Sequence, residues 1–309
     1  MKGYLFALLV LMCSIADMSG QARFSLDNKG KLQSAQPTER PESSTLYTQA
    51  DTVRYRKLVV AAYQALQKDS FAEAKLAFEQ ALKAVPRMDS NVEVCYELGQ
   101  LEERDGHMRS AIDYYTRAIK RNSHYVKAYL RRGGMYLMEG EEMMAVKDFN
   151  EVISIDYLNK DAYFFRGCAY ANNGQYELAE KDFSTLLKRD ASDERATYSM
   201  ALVELQQNKL EDAFIRMNGL ILRYPKESLY YATRAEINEK RQLVNDAEKD
   251  WQMAVDLMPG ELGIVERFAR FLMRQHRKSD AMKIIDKAGK TGVSYVELMD
   301  LRQRVKKNK

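Results

Sequence analysis

A chain of 309 residues with only 15 Gly and 5 Pro, and with Ala, Leu, Glu, Lys, Arg and Met abundant, has few punctuators for strand turns and points to an all-α fold. Lys and Arg total 48 against 44 Asp and Glu with the signs interspersed, so no broad positive field exists to neutralise phosphates, and no nucleic-acid partner is expected. The basic cluster Arg302, Arg304, Lys306, Lys307 and Lys309 reads as the soluble end of a helix.

The N-terminus runs from Met1-Lys2 through an apolar stretch, Tyr4 to Ile15, to small and polar residues ending at Ser19-Gly20-Gln21-Ala22. These are the charged, apolar and small-residue zones of a secretory signal. The stretch is shorter than the roughly 20 apolar residues a membrane span needs, and Asp17 closes it. Residues 1–20 are therefore read as a cleaved signal peptide, with cleavage near Gly20 or Ala22 favoured and Ala16 left open, and no transmembrane segment remains afterwards. Cys13 follows Met12 rather than a small residue and lies inside the apolar run, which argues against lipidation. The expected location is the periplasm or cell envelope, with secretion also open. Residues 21–50 are rich in Ser, Thr, Gln and Pro, as in Gln36-Pro37-Thr38 and Arg40-Pro41-Glu42-Ser43-Ser44, and are read as a disordered linker that cannot bury a core.

From residue 51 to 291 one unit is reused. Ala74, Ala111, Ala145, Ala179, Ala213, Ala247 and Ala281 are separated first by 37 and then always by 34 residues. Four residues after each comes a bulky apolar side chain: Phe78, Tyr115, Phe149, Phe183, Met217, Trp251 and Ile285. Twelve before each stands a small one: Ala62, Gly99, Gly133, Gly167, Ala201, Ala235 and Ala269. Paired small residues let two helices approach closely. Between the helices lie Asp105-Gly106, Glu139-Gly140, Asn173-Gly174 and Asn208-Lys209, each with a Gly or Asn suited to the left-handed end of a helix. The segment 292–309 is apolar at Val296, Leu298, Met299, Leu301 and Val305, as a capping helix over the end of a repeat stack would be. Cys95 and Cys168 fall two repeats apart, too far for a disulfide, and are read as core thiols.

The period of 34, with a small residue at the eighth position, Ala at the twentieth and an aromatic at the twenty-fourth, resembles the tetratricopeptide repeat family from Tyr55 to Thr291. The resemblance implies a right-handed superhelical solenoid of seven helical hairpins, non-catalytic, with a protein or peptide held in a concave groove lined by the first helix of each hairpin. The eleventh position departs from the family, which often has Tyr there: only Tyr136 and Tyr170 keep it.

By that resemblance the fifth positions of repeats two to five, Tyr96, Leu130, Phe164 and Tyr198, form a ladder of large side chains in the groove, joined by Leu202 at a ninth and Leu137 at a twelfth position. Rings supply contact area for a peptide at little entropic cost, although aromatic residues at helical spacing also serve as core. The rim is Glu93, Lys127, Asp161 and Arg195 at second positions, with Arg131 beside them. A subclass of the family clamps a C-terminal carboxylate with Lys, Asn and Arg; here Lys127 and Arg131 match one part, but Val59, Tyr63 and Glu97 occupy the rest, and Glu97 repels a carboxylate.

Chemistry is not indicated. His107, His124 and His276 are isolated, so no metal is expected. Glu102-Glu103 and Glu141-Glu142 fall near hairpin ends, and Gly289-Lys290-Thr291 lacks the earlier Gly of a phosphate-binding loop, since Ile284 stands there. No cofactor and no enzymatic activity are expected. The reading is a binding scaffold or adaptor in the cell envelope; the alternative is a structural subunit of an envelope complex or homo-oligomer, docking through its ends or a convex face carrying Phe214, Met282 and Met143-Met144.

Overall fold

In a computed structural model that describes residues 47–86, 90–291 and 293–307, the chain is an all-α helical-repeat solenoid. The expected signal peptide with Cys13, and the linker up to residue 46, lie outside the described residues. The helices fall into two compact units that divide between Gln175 and Tyr176. The first holds α1 (Gln49–Gln67), α2 (Phe71–Ala84), α3 (Asn91–Arg104), α4 (Met108–Arg121), α5 (Val126–Met138), α6 (Glu142–Ile155) and α7 (Lys160–Asn172). The second holds α8 (Tyr176–Arg189), α9 (Glu194–Gln206), α10 (Leu210–Arg223), α11 (Ser228–Lys240), α12 (Val244–Leu257), α13 (Leu262–Arg274), α14 (Lys278–Gly289) and α15 (Tyr295–Lys307). By sequence register, odd-numbered helices from α1 to α13 open a repeat and even-numbered ones close it. No helix among the described residues is long and apolar enough to cross a membrane.

The first helix opens inside the expected linker. Thr48 accepts from the backbone of Asp51, whose carboxylate accepts in return from the Thr48 backbone N–H at 3.0 Å, closing a capping box. Every turn between the two helices of a repeat then uses the same geometry. Asp69, Gly106, Gly140, Gly174, Asn208, Gln242 and His276 all have φ between 55° and 79°. The residue after each donates its N–H back to a carbonyl five residues earlier, for example His107 to Glu102 at 2.8 Å and Leu243 to Asn238 at 2.9 Å. That bond satisfies a carbonyl left over at the helix end.

Within a hairpin the small residue of the first helix faces the ring of the second. A Cβ at Gly99 would lie 2.5 Å from the Tyr115 ring, and one at Gly133 would lie 2.7 Å from the Phe149 ring, so the helices are as close as backbone allows. Trp251 does the same work in the second unit, fully buried against Phe268 and donating its indole N–H to Glu239 at 2.7 Å. Cys95 and Cys168 are free and buried.

Arginines join one repeat to the next within each unit. Arg132 on α5 reaches forward to both Asp148 oxygens on α6, at 2.8 and 2.7 Å, and back to Thr116 on α4 at 2.9 Å. Arg234 on α11 likewise grips Asp250 on α12 at 2.9 and 2.5 Å and Asn218 on α10 at 2.7 Å. The guanidinium fork makes both contacts at once because its donors are planar and fixed. At the C-terminus α15 buries Leu298, Leu301 and Val305 in the cluster formed by α11 to α14, while Val296 and Met299, expected on the same apolar side, face solvent.

Gly133→Ala should destabilise the chain by about 1–3 kcal/mol through overpacking against Phe149, despite alanine's better helix propensity. Gly219, an exposed position in α10 with nothing within 4 Å of a new Cβ, should give the opposite sign, a gain of up to about 1 kcal/mol on Gly219→Ala. Urea unfolding of the two variants checks both signs.

Candidate partner-binding face

The sequence places its candidate contacts on first helices, and the structure divides them into core and surface. Phe164 on α7 and Tyr198 on α9 are 1% and 0% exposed, so neither offers a ring to a partner. Phe164 meets the edge of Phe165 at 5.4 Å, and the Tyr198 hydroxyl lies 3.1 Å from that of Thr233 while its ring packs on Tyr230. Leu137 and Leu202 are also buried. The ladder is thus corrected at these four positions: large side chains at fifth, ninth and twelfth positions fill the space between helices, because burial there is worth about 1.5–3 kcal/mol for each. Tyr96 and Leu130 remain partly buried, with Tyr96 edge-on to Tyr125 at 5.5 Å.

The rim changes too. Arg131, expected as a rim cation, is buried and donates to Glu103 at 3.1 Å; Glu103 also accepts from the Tyr115 hydroxyl at 2.6 Å, and Arg131 bonds the Tyr96 hydroxyl. That network fastens α3, α4 and α5 and leaves Arg131 no charge to present. Asp161 and Arg195 are partly buried and already engaged. Glu93 is partly buried and Lys127 exposed, in the same unit as Tyr96.

Two tyrosines and a carboxylate that the ladder did not include complete this face of the first unit. Tyr63 on α1 is partly buried, with its ring edge-on to Phe78 at 5.2 Å, and Tyr125 caps the start of α5. Burial, and then the charges of Glu97 and Glu93, push the Tyr63 hydroxyl's ionisation far up, and burial followed by Glu93, Tyr96 and Glu97 raises that of Tyr125. Glu97 is raised from an ordinary 4.5 to about 7 by burial, with Lys127 opposing and Glu93 adding to the shift. Sequence reading had singled out Tyr63 and Glu97 only as misfits to a carboxylate clamp; Tyr125 lies one residue outside its helix, where a helical register does not look.

The family model described as tetratricopeptide repeat matches residues 96–156 and 165–227. A tetratricopeptide repeat protein from Parabacteroides merdae has a similar structure, with a TM-score of 0.70 at 21% identity over 82% of this chain and 99% of that one. PilW, described as a widely conserved type IV pilus biogenesis factor, aligns with a TM-score of 0.53 at 14% identity over 68% of this chain and 94% of its own. YrrB, described as a TPR protein with an unusual peptide-binding site, aligns with a TM-score of 0.50 at 15% identity over 62% and 97%. No curated protein matches the sequence.

Between pH 4.5 and about 7 the folded chain keeps a proton on Glu97 that the unfolded chain releases. Stability from this group therefore falls as pH rises through that window and is level above it. Glu97→Gln, neutral at every pH, should stabilise the chain by about 1–3 kcal/mol at pH 8 and far less at pH 5. Thermal melts at the two pH values measure the difference.

Proposed function

We propose that this chain, whose repeats are tetratricopeptide repeats, is a non-catalytic adaptor of the cell envelope that holds an extended segment of a protein partner on the first-helix face of its N-terminal unit. The observation that carries the reading is the set Tyr63, Tyr96, Tyr125, Glu93 and Glu97 in the N-terminal unit, whose rings pack on the core clusters while part of each side chain stays exposed. Aromatic area flanked by polar groups is the make-up of a binding hot spot. The peptide-binding site ascribed to YrrB supports the same use of the fold. Export is supported by Lys2, the apolar run Tyr4 to Ile15 and the small residues after it.

A second reading, a structural subunit that docks through its second helices, is favoured by exposed apolar side chains there: Leu76, Met143 and Met144 in one unit, Ile215 and Leu222 in the other. Phe214, named for that face by sequence, is instead partly covered by the Arg241 guanidinium 4.1 Å above its ring.

Capture of partners from envelope extract separates the two. Glu93→Arg should lower capture at least tenfold in a chain that still folds, while Leu76→Ser/Ile215→Ser should leave it intact; the reverse pattern moves the contact to the second helices. Residues 1–50 fused to alkaline phosphatase, which is active only outside the cytoplasm, should give active enzyme on whole cells. An inactive fusion with normal expression overturns export.

A further inference from the structure

On α10 the inner side buries Ala213, Met217, Leu220 and Ile221, while Asp212, Ile215, Gly219 and Leu222 are all exposed. The spacing of these four, 3, 4 and 3 residues, is that of a seam along which one helix faces another. Ile215 is 66% exposed, and Leu222, at 85%, is the most exposed large apolar side chain among the described residues. Between them a Cβ at Gly219 would meet nothing within 4 Å, so the backbone there is open to close approach by a second helix. Single apolar side chains are ordinary on a surface. Two on one seam with a glycine between them are what a docked helix covers.

The charges say which helix. Asp212 makes no hydrogen bond or ion pair among the described residues. Arg223, at the other end of α10, is exposed and has no carboxylate partner; its hydrogen bonds go to the backbone carbonyls of Gly219 and Ser192, at 3.4 and 3.3 Å. At about 100° per residue, Asp212 and Arg223 lie within about 20° of each other on one flank of the seam, and Ile215 and Leu222 within about 20° on the other. Glu211, next to Asp212, is already held by Arg241 at 3.0 Å and is left out of this account.

We propose that α10 pairs with α10 of a second copy of this chain, antiparallel, about a two-fold axis near Gly219. An antiparallel pair sets Asp212 of each copy beside Arg223 of the other, and Ile215 beside Leu222, each contact occurring twice by symmetry. A parallel pair sets Asp212 on Asp212 and Arg223 on Arg223, which repel. The helix dipoles also oppose one another favourably in the antiparallel pair. The inference rests on the second-helix reading above, gives that surface its occupant, and leaves the first helices free to hold a different protein.

The test is sedimentation velocity of the mature chain over a hundredfold range of concentration. Wild type should pass from monomer to dimer as concentration rises. Ile215→Ser/Leu222→Ser should weaken the dimer at least tenfold, and because both side chains are exposed, its melting curve at dilution should match that of wild type. Asp212→Arg and Arg223→Asp should each weaken self-association at least fivefold, since each places like charges at both contacts. Mixed in equal amounts, one of them fluorescently labelled, these two charge variants should form a heterodimer as tight as the wild-type dimer, because each supplies the charge the other lacks. A wild type that stays monomeric at every concentration overturns the dimer and leaves second-helix docking to be judged by the capture pattern above. A dimer untouched by the serine substitutions forms elsewhere, and a mixture no tighter than its components rules out the antiparallel pairing; either result overturns the proposal.

Discussion

The hairpins α3–α4 and α5–α6 depend on a small residue of the first helix lying directly under a large ring sixteen positions later on the second. The contact at Gly99 and Tyr115, or at Gly133 and Phe149, sets the helix separation so tightly that a single methyl group has no room. The helical ladder, the left-handed turn and the next repeat's seat follow from that separation, since interior packing at this density transmits any change in spacing. Where alanine stands in place of glycine, an aromatic ring still lies sixteen positions on, as in Ala62 with Phe78 and Ala235 with Trp251.

The pairing was legible because it repeats at one register, and repetition filters out chance. The turns were half legible. Gly106, Gly140, Gly174 and Asn208 announce a left-handed residue, but Asp69, Gln242 and His276 adopt the same conformation without a Gly or Asn to mark it. The strain at one such residue, about 1–2 kcal/mol, is smaller than the packing gained by two docked helices, so tertiary structure decides. The arginine links also stood in the sequence, as Arg132 and Arg234 each sixteen residues before an aspartate, yet on a helix that a hydrophobic pattern describes, a charge reads as solvated surface.

The partner face was the least legible part, for a physical reason. Side chains at a repeat's fifth position divide between groove and core according to what their neighbours leave open. Tyr96 stays partly accessible beside Tyr125, whereas Phe164 and Tyr198 are enclosed. Register cannot separate these outcomes. The charged residues were harder still: Arg131 and Glu97 hold equivalent positions in successive repeats, and one is paired with the partly buried Glu103 while the other is opposed by the charge of Lys127. Stability alone would replace Glu97 with a neutral side chain, and a costly charge left in place is where function and folding part company.

The arginine links carry an evolutionary consequence. Arg132 bonds Thr116 and Asp148, and Arg234 bonds Asn218 and Asp250, each partner sixteen residues before or after. Duplicating or deleting one whole period of 34 residues restores those offsets at the new junction, so the lineage is free to lengthen or shorten its array by complete repeats. Gaining or losing a single residue within a helix rotates the guanidinium by about 100° and breaks the links on both sides. The fifth repeat has Met200 and Arg216 where its neighbours have arginine and aspartate, and there Arg216 donates to Glu204 instead, at 2.8 Å.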